Sequence, residues 1–276
     1  MKADLHMHTK ASDGRLTNRE VFKRAKEKGM DVIAITDHDV CKKEAVEENK
    51  ALAREFDITY IPGIELSTLY KGKSVHVLGY FKGEGYADKA MEAYYDMIRT
   101  GREKRAKTFI ENLKKHFDIE IDYDTLVELS RGIIARPHIA QAIRRNYPEY
   151  SHNYIFDTFI GEHTKAYVPS TELSLEEGVK LLRKHGALSV LAHPVLLKPS
   201  VHDKVLGHTF DGLEAIYPRN DESDTEYYKA YAKRYGHFIT AGSDYHGIEN
   251  DPSHGDIGDV TLEGEPLDKF LTALKQ

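Results

Sequence analysis

Short apolar segments rich in β-branched residues alternate with amphipathic helical segments at both ends of the chain, and this alternation constrains the fold most. Residues 31–36 read DVIAIT, which is typical of a strand buried on both faces of a parallel sheet. The helical segments carry end signals, since Thr17 with Glu20 and Ser174 with Glu177 have capping-box spacing, and Gly29 and Gly186 are natural helix stops. The βαβα order predicts a parallel sheet or barrel. We expect seven strands, at residues 2–6, 31–36, 58–64, 74–81, 187–192, 212–217 and 238–242.

This rhythm is interrupted between residues 83 and 169, where strand signals almost vanish. Helical patterns cover residues 87–117, 123–130 and 136–146 instead. We therefore predict an α/β protein in which residues 1–82 and 170–276 form a barrel, while residues 83–169 form a helical insertion that covers the active site. A length of 276 residues is ordinary for a single barrel with an insertion.

The composition excludes several classes of protein. Acidic residues outnumber basic ones by 45 to 39, and the net charge of −6 argues against a protein that coats nucleic acid by bulk charge. A single cysteine, Cys41, excludes a disulfide scaffold and fits a reducing compartment. No apolar run approaches the roughly 18 residues of a membrane helix, and no signal-peptide segment is recognisable. We expect a cytoplasmic protein, monomeric by default, with neither a membrane nor duplex nucleic acid as partner.

Histidine and acidic residues concentrate at the ends of the predicted strands. His6 and His8 leave the first strand at positions i and i+2, so their side chains point to the same side of an extended chain. Asp244 and His246 repeat that spacing after the last strand. The carboxyl ends of barrel strands converge on one face, where we expect nine candidate metal ligands: His6, His8, Asp13, His38, Glu65, His76, His193, Asp244 and His246.

A lone histidine on a strand is more often a packing residue than a ligand, and only the joint pattern favours a metal cluster. Burying this many imidazoles and carboxylates together without a cation would be costly. The set contains no thiolate, which suits Mn, Fe or Zn. Nine ligands exceed one site and predict two or three divalent ions that share a carboxylate, with Glu65 as the bridge. The other histidines are assigned to packing or to the surface: His116, His152, His163, His185, His202, His208, His237 and His254.

The motifs, taken in order, resemble those of one known family, the PHP (polymerase and histidinol phosphatase) phosphoesterases. They are His6-Met7-His8, Thr36-Asp37-His38-Asp39, Glu65, His76, Ala192-His193-Pro194 and Ser243-Asp244-Tyr245-His246. Asp13 in Ser12-Asp13-Gly14, with Ala135-Arg136-Pro137-His138, is similar to the TrpH-type branch of that family. This branch includes 5′-3′ exoribonucleases and phosphatases of nucleoside 3′,5′-bisphosphates.

The resemblance implies a distorted (β/α)7 TIM-like barrel and a division of the ligands among metals. In many relatives a histidine stands where this chain has Asp13. The implied ligand sets are His6, His8, Glu65 and Asp244 for one metal; Glu65, His76 and His193 for a second; and Asp13, His38 and His246 for a third.

From these residues we predict a metal-dependent phosphoesterase, a hydrolase of nucleotide phosphate monoesters. Paired metals can activate a water molecule, and the resulting hydroxide would attack phosphorus in line with the leaving alcohol. No serine or cysteine nucleophile is required. The candidate catalytic residues are Asp37, His193 and Asp244, with Asp37 also a possible acceptor that orients ligand imidazoles.

A phosphorylated substrate also needs cations beyond the metals. Arg136 and His138 begin a predicted helix, where free backbone N–H groups favour anions, and Arg136 can bind a phosphate in a bidentate manner. Arg219, after a strand end, is a further candidate. A second cationic site favours a nucleoside 3′,5′-bisphosphate, or the 5′ end of a short RNA strand. A histidinol-phosphate phosphatase and a non-catalytic, nucleotide-binding metal barrel are the alternatives.

Overall fold

The computed structural model describes residues 1–130, 134, 136–169, 172–249, 251 and 253–276. The strands are β1 (Lys2–Asp4), β2 (Val32–Ile35), β3 (Thr59–Tyr70), β4 (Lys73–Phe81), β5 (Leu173–Ser174), β6 (Ala187–Leu191), β7 (Gly212–Ile216), β8 (Phe238–Ala241) and β9 (Leu262–Glu263). The α-helices are α1 (Asn18–Glu27), α2 (Lys43–Phe56), α3 (Lys89–Phe117), α4 (Tyr123–Ser130), α5 (Arg136–Asn146), α6 (His152–Ile155), α7 (Leu175–Lys184), α8 (His202–Leu206), α9 (Glu222–Tyr235) and α10 (Gly264–Lys275). Short 3₁₀ turns cover Gly85–Ala87 and Pro194–Leu196, and a π-helical turn covers Phe156–Ile160.

The strands form one sheet in the order β8-β7-β6-β4-β3-β2-β1-β9, with β5 beside β3. Strands β1, β2 and β3 pair in parallel, as do β6, β7 and β8. The chain beyond β1 also meets the chain beyond β8, since Leu5 N donates to Ala241 O at 3.0 Å and Met7 forms a parallel bridge with Tyr245. The sheet is therefore a nearly closed barrel, which confirms the predicted fold class.

One strand departs from the expected parallel arrangement. β4 runs antiparallel to both β3 and β6, although the βα rhythm predicted parallel neighbours. The cause is a two-residue hairpin turn at Lys71 and Gly72, whose φ angles of 48° and 75° are those of a turn that matches the twist of the flanking strands. Because β4 runs backwards, its amino-terminal half lies at the same end of the barrel as the carboxyl-terminal half of β3. His76 consequently pairs with Ser67, two residues beyond Glu65.

The helix ends follow the signals in the sequence. Thr17 accepts from Glu20 N and completes the predicted capping box of α1, and Ser174 does the same for α7. Helix α9 begins at Glu222. Asp221 caps it there, because its side chain accepts from Asp224 N.

The chain divides into two compact units, Met1–Ala93 with Glu172–Gln276, and Tyr94–Thr171. Each has its own apolar core. In the barrel unit Tyr80 is fully buried and its hydroxyl donates to Leu5 O at 2.9 Å. The core of the helical unit includes Phe109, Leu113, Leu126, Ile143 and Phe159.

The predicted insertion, residues 83–169, and its predicted role as a cover for the active site stay predictions. Its far boundary at Ser170 lies outside the described residues. Within the described part of the chain, no helix has the length and apolar character needed to cross a membrane.

Candidate metal centre

The histidines and carboxylates predicted from the sequence meet at one end of the barrel, because they lie on its strands or directly after them. His6 and His8 follow β1, and the chain beyond β1 is held by Asp244 N, which donates to His6 O at 2.8 Å. His38 follows β2 and forms a parallel bridge with Glu65 on β3. The remaining members come from the loop after His8, the antiparallel strand and the ends of β6 and β8: Asp13, His76, His193, Asp244 and His246.

Glu65 lies at the centre of this cluster with 1% of its side chain exposed. Its two oxygens face five imidazole rings. Around Oε2 lie His6 Nε2 at 3.2 Å, His8 Nε2 at 3.1 Å and His38 Nδ1 at 3.1 Å; at Oε1 lie His76 Nδ1 at 2.8 Å and His193 Nε2 at 2.9 Å. A carboxylate surrounded in this way has the arrangement of a bridging ligand.

Two further carboxylates flank Glu65. Asp244 Oδ1 lies 3.3 Å from His6 Nε2 and 3.1 Å from His8 Nε2. On the other flank, Asp13 Oδ1 lies 3.3 Å from His246 Nε2, and Asp13 Oδ2 lies 3.7 Å from His38 Nε2. The cluster thus runs from Asp244 through Glu65 to Asp13, with imidazoles between the carboxylates.

The electrostatics of the cluster depend on burial and on opposite charges. Burial raises the pKa of Glu65, but the charges of the surrounding imidazoles, His38 and His6 first, outweigh it and hold that pKa well below its usual range. Burial lowers the pKa of His8, but the close carboxylates of Asp244 and Glu65 raise it to about 10. Burial lowers the pKa of His38 to about 4, against the opposing charges of Glu65 and Asp13.

The cluster is suited to divalent metal ions because several of its buried nitrogen and oxygen atoms lack hydrogen-bond partners within the described part of the chain. Asp13 Oδ1, His38 Nδ1, Glu65 Oε2 and Asp244 Oδ1 are buried with no hydrogen-bond partner among the described residues, and a buried orphaned acceptor is costly unless something satisfies it. Candidate ligand atoms lie within 4.8 Å of one another in four groups. These are His6, His8, Glu65 and Asp244; His38, Glu65 and His76; His8, Asp13, His38 and His246; and Asp244, His246 and His254.

These groups correspond in part to the three ligand sets that the resemblance implied. His193 lies outside them, although its Nε2 is 2.9 Å from Glu65 Oε1. The clusters can therefore bind metal ions, whereas the number of ions, their identity and the role of each ligand stay predictions.

Asp37 reaches the cluster indirectly. Its carboxylate accepts from Thr9 N and Thr9 Oγ1, both at 2.7 Å, and from Ser12 Oγ at 2.6 Å. Ser12 Oγ in turn lies 3.4 Å from His8 Nδ1. These contacts are those of a residue that holds the loop between His8 and Asp13, and the catalytic role predicted for Asp37 stays a prediction.

The backbone is in an unusual conformation at two of the predicted catalytic residues. His193 has φ 27° and Asp244 has φ 54°, a left-handed region that residues with a β-carbon adopt only when their surroundings enforce it. The enforcing contacts are hydrogen bonds from the backbone N–H groups, His193 N to Glu214 Oε2 at 2.7 Å and Asp244 N to His6 O at 2.8 Å. This conformation directs both side chains into the cluster.

Three side chains that the sequence analysis did not select contact the cluster. Glu214, within β7, lies 3.0 Å from His6 Nδ1, and the Tyr217 hydroxyl donates to Asp244 Oδ2 at 2.9 Å. A carboxylate inside the apolar segment GLEAIY was the available signal for Glu214. His254 was assigned to packing or the surface, but it belongs to a metal-capable group with Asp244 and His246. Its ring stacks on that of His246 with 4.2 Å between centroids, and its Nδ1 lies 2.6 Å from Asp251.

The candidate substrate residues lie on exposed or half-buried parts of the chain. Arg136 is the first residue of α5, as predicted, with its guanidinium 3.9 Å from Glu162 and above the Tyr167 ring at 5.6 Å. His138 is half-buried in the first turn of the same helix, and Arg219 is exposed in the turn after β7. Ala135, part of the motif at this helix, lies outside the described residues. Contacts of Arg136, His138 and Arg219 with a substrate stay predictions.

Comparison with known proteins agrees with this geometry. The sequence profile of the PHP domain matches residues 4–245. The chain is 28% identical over 256 residues to a 3′,5′-nucleoside bisphosphate phosphatase of Chromobacterium violaceum, covering 88% of this chain and 86% of that protein. It is 27% identical over 253 residues to a 5′-3′ exoribonuclease of Haemophilus influenzae, covering 89% and 90%.

A solved structure shows the same fold. The crystal structure of an amidohydrolase from Chromobacterium violaceum, with bound sulfate and no metal, superposes with a TM-score of 0.80 at 25% identity, covering 99% of this chain and 97% of that one. The enzyme class predicted from the sequence, a metal-dependent phosphoesterase, is confirmed by the family match and these relatives. The match over nearly the whole chain shows that the protein belongs to the PHP domain family.

Proposed function

We propose that this protein hydrolyses phosphate monoesters of nucleotides, with nucleoside 3′,5′-bisphosphates as its main substrates. The observation that carries the proposal is the buried Glu65 carboxylate surrounded by five imidazoles and flanked by Asp13 and Asp244. This arrangement suits a bridged pair of divalent ions, and paired ions are a common solution for cleaving phosphate esters.

Two or three ions of Mn, Fe or Zn would occupy the cluster. When bound, they supply Lewis acidity toward the phosphoryl oxygens and activate water as a nucleophile at neutral pH. We propose three ligand sets: His6, His8, Glu65 and Asp244; Glu65, His76 and His193; and Asp13, His38 and His246.

The charges of the chain itself favour at least two ions. Asp13, Glu65 and Asp244 together carry three negative charges, since burial raises the pKa of each but neighbouring imidazoles lower all three well below their usual ranges. One divalent ion would not offset the charges of these three carboxylates. Two would offset them and so reduce the repulsion of an approaching phosphate.

The protein's own side chains position the reacting groups. The strained His193 and Asp244 backbones direct their side chains toward the cluster, and the Tyr217 hydroxyl holds one oxygen of Asp244 so that the other faces His6 and His8. We propose His193 and Asp244 as catalytic residues that would act on the reacting phosphate by way of the ions they hold. We propose Asp37 as a positioning residue.

The choice of a bisphosphate rests on a second cationic site. Arg136 and His138 begin α5, where free N–H groups and a guanidinium favour a phosphate, and Arg219 is a weaker candidate. A relative that covers most of the chain is a 3′,5′-nucleoside bisphosphate phosphatase. A second candidate substrate, the 5′ end of a short single-stranded RNA, is favoured by the 5′-3′ exoribonuclease relative.

The test compares phosphate release from adenosine 3′,5′-bisphosphate, AMP, histidinol phosphate and a 5′-phosphorylated trinucleotide at equal concentration, with Mn-loaded protein. We expect the bisphosphate to be hydrolysed with the highest kcat/KM. Preference for histidinol phosphate would contradict the nucleotide assignment, and nucleotide release from the RNA alone would favour the second candidate. Metal-dependent binding of the bisphosphate without release would indicate a non-catalytic barrel.

We further propose that the enzyme is a cytoplasmic monomer whose partners are small phosphorylated substrates. The support is compositional, since a single cysteine, Cys41, fits a reducing compartment. Size-exclusion chromatography with light scattering tests the oligomeric state, and a dimer would contradict that part of the proposal.

A further inference from the structure

Glu214 is a fully buried carboxylate on β7 with no exposed side-chain surface. Its two oxygens have different partners. Oε1 lies 3.0 Å from Nδ1 of His6, and Oε2 accepts a hydrogen bond of 2.7 Å from the backbone N–H of His193. Among the described residues, His6 is the ion-pair partner of this carboxylate, and no lysine or arginine neutralises it.

A carboxylate buried in this way is costly for folding, because removing its charge from water is only partly offset by two contacts. An apolar side chain would serve the core of β7 better. The contacts of Glu214 therefore point to a role in the cluster, as both of its partners are proposed metal ligands.

The first contact fixes the state of the His6 ring. A carboxylate at Nδ1 accepts a hydrogen bond from that N–H and so keeps the proton on Nδ1, which leaves Nε2 with a free lone pair. Nε2 is the nitrogen that faces the cluster, 3.2 Å from Glu65 Oε2 and 3.3 Å from Asp244 Oδ1. Without Glu214 the proton could move to Nε2 and block coordination there.

The second contact fixes the backbone of His193. The hydrogen bond to Glu214 Oε2 holds His193 at φ 27°, a conformation that costs energy. In this conformation Nε2 of His193 lies 2.9 Å from Glu65 Oε1, the oxygen opposite the one that His6 approaches. One carboxylate thus orients a ligand on each side of the Glu65 bridge.

We propose that Glu214 is a positioning residue that couples the two metal positions on either side of Glu65, through the ring of His6 and the backbone of His193. The inference rests on the proposed metal centre and deepens it. It predicts that the affinities of both ions fall together when Glu214 is changed, because the residue serves one ligand of each.

The test is Glu214→Gln, which keeps the shape of the side chain. A glutamine has one acceptor oxygen and one NH2 group, so it can satisfy His193 N or the His6 ring but not both in their present states. We expect Mn binding, measured by titration and by metal analysis after dialysis, to weaken by about 10–100-fold for both ions. At saturating Mn, the KM for substrate should stay the same.

Asp211→Asn is the matched control. Asp211 is a half-exposed carboxylate that accepts from Ser189 N at 2.8 Å and joins β6 to the start of β7 without contacting the cluster. Its loss should lower stability but leave Mn affinity unchanged. Wild-type Mn affinity in Glu214→Gln, or weakening confined to one ion, would overturn the proposal.

A second measurement needs no variant and applies even if Glu214→Gln does not fold. In metal-free wild-type protein labelled with ¹⁵N-histidine, NMR should show the His6 ring protonated at Nδ1, and a His6 ring carrying its only proton on Nε2 would overturn the inference. If the wild-type protein binds none of Mn, Fe and Zn, the metal centre itself is refuted. If it binds Mn but releases no phosphate, only the proposed activity fails.

Discussion

Replacing Gly242 by alanine probes how closely the barrel wall approaches the candidate metal centre. Gly242 follows β8 and faces both His6 and Glu214. A β-carbon at this position would lie 2.7 Å from Glu214 Oε1 and 2.8 Å from His6 N, and it would also overlap the β-carbon of His6. Ordinary contacts begin at 3.4 Å, so Glu214 Oε1 would have to move by about 0.7 Å and the β-carbon of His6 by more than that.

The backbone of His6 cannot easily make that movement. It is held on both sides by hydrogen bonds between the chain beyond β1 and the chain beyond β8, from Leu5 N to Ala241 O at 3.0 Å and from Asp244 N to His6 O at 2.8 Å. Overpacking of this kind costs about 1–3 kcal/mol. Ligand positions tolerate errors of only about 0.5 Å, so we also expect Mn affinity to fall by about tenfold or more.

The assay has two parts, urea unfolding of the metal-free protein and Mn titration of the folded protein. Gly83→Ala is the control, because a β-carbon at Gly83 has no neighbour within 4 Å among the described residues. Wild-type stability together with wild-type Mn affinity in Gly242→Ala would refute the close approach. A loss of stability with unchanged Mn affinity would refute the link between this wall and the ligands.

Three further predictions concern chemistry, substrate and pH. His193→Ala should lower phosphate release by orders of magnitude while circular dichroism stays unchanged, and near-wild-type turnover would remove His193 from the centre. Arg136→Ala should raise the KM for a bisphosphate by roughly 10–100-fold, the size of a lost charged hydrogen bond, without changing bound Mn; unchanged kinetics would limit Arg136 to its contacts with Glu162 and Tyr167. Burial lowers the pKa of His8, but Asp244 and Glu65 raise it to about 10, so metal must displace a proton that is bound below that pH. Mn affinity should therefore rise with pH, by up to about tenfold per unit between about pH 6 and 9, with proton release visible by calorimetry in buffers of different ionisation enthalpy; an affinity independent of pH would contradict this.

The parts of the fold that depend on local chemistry were predictable from the sequence. The capping boxes at Thr17 and Ser174 formed as expected, because a side chain three residues from its partner needs no tertiary contact. The direction of β4 was not predicted. Apolar segments on either side of Lys71-Gly72 were a hairpin signal, but β3 was expected to end at Ile64, whereas it continues to Tyr70.

The gathering of the cluster could be anticipated, because barrel topology brings the ends of distant strands together whatever the loops do. Glu214 and Tyr217 are different. Which side chains of a buried strand face the centre depends on the register with neighbouring strands, which a single sequence does not give. His254 follows the last ligand in an irregular loop with no periodicity, so only the folded chain reveals that it stacks on His246.

The closure of the barrel between the chain beyond β1 and the chain beyond β8 has a consequence for the order in which the protein is made. His6 and Glu214 are 208 residues apart in the chain, and the hydrogen bond from Ser243 N to Asp4 spans 239 residues. During translation, His6 and His8 leave the ribosome long before the segments that orient them. Because such distant contacts form late and close slowly, the groups that contain Asp244 or His246 can assemble only after the chain beyond β8 has been made, whereas His38, Glu65 and His76 are all present much earlier.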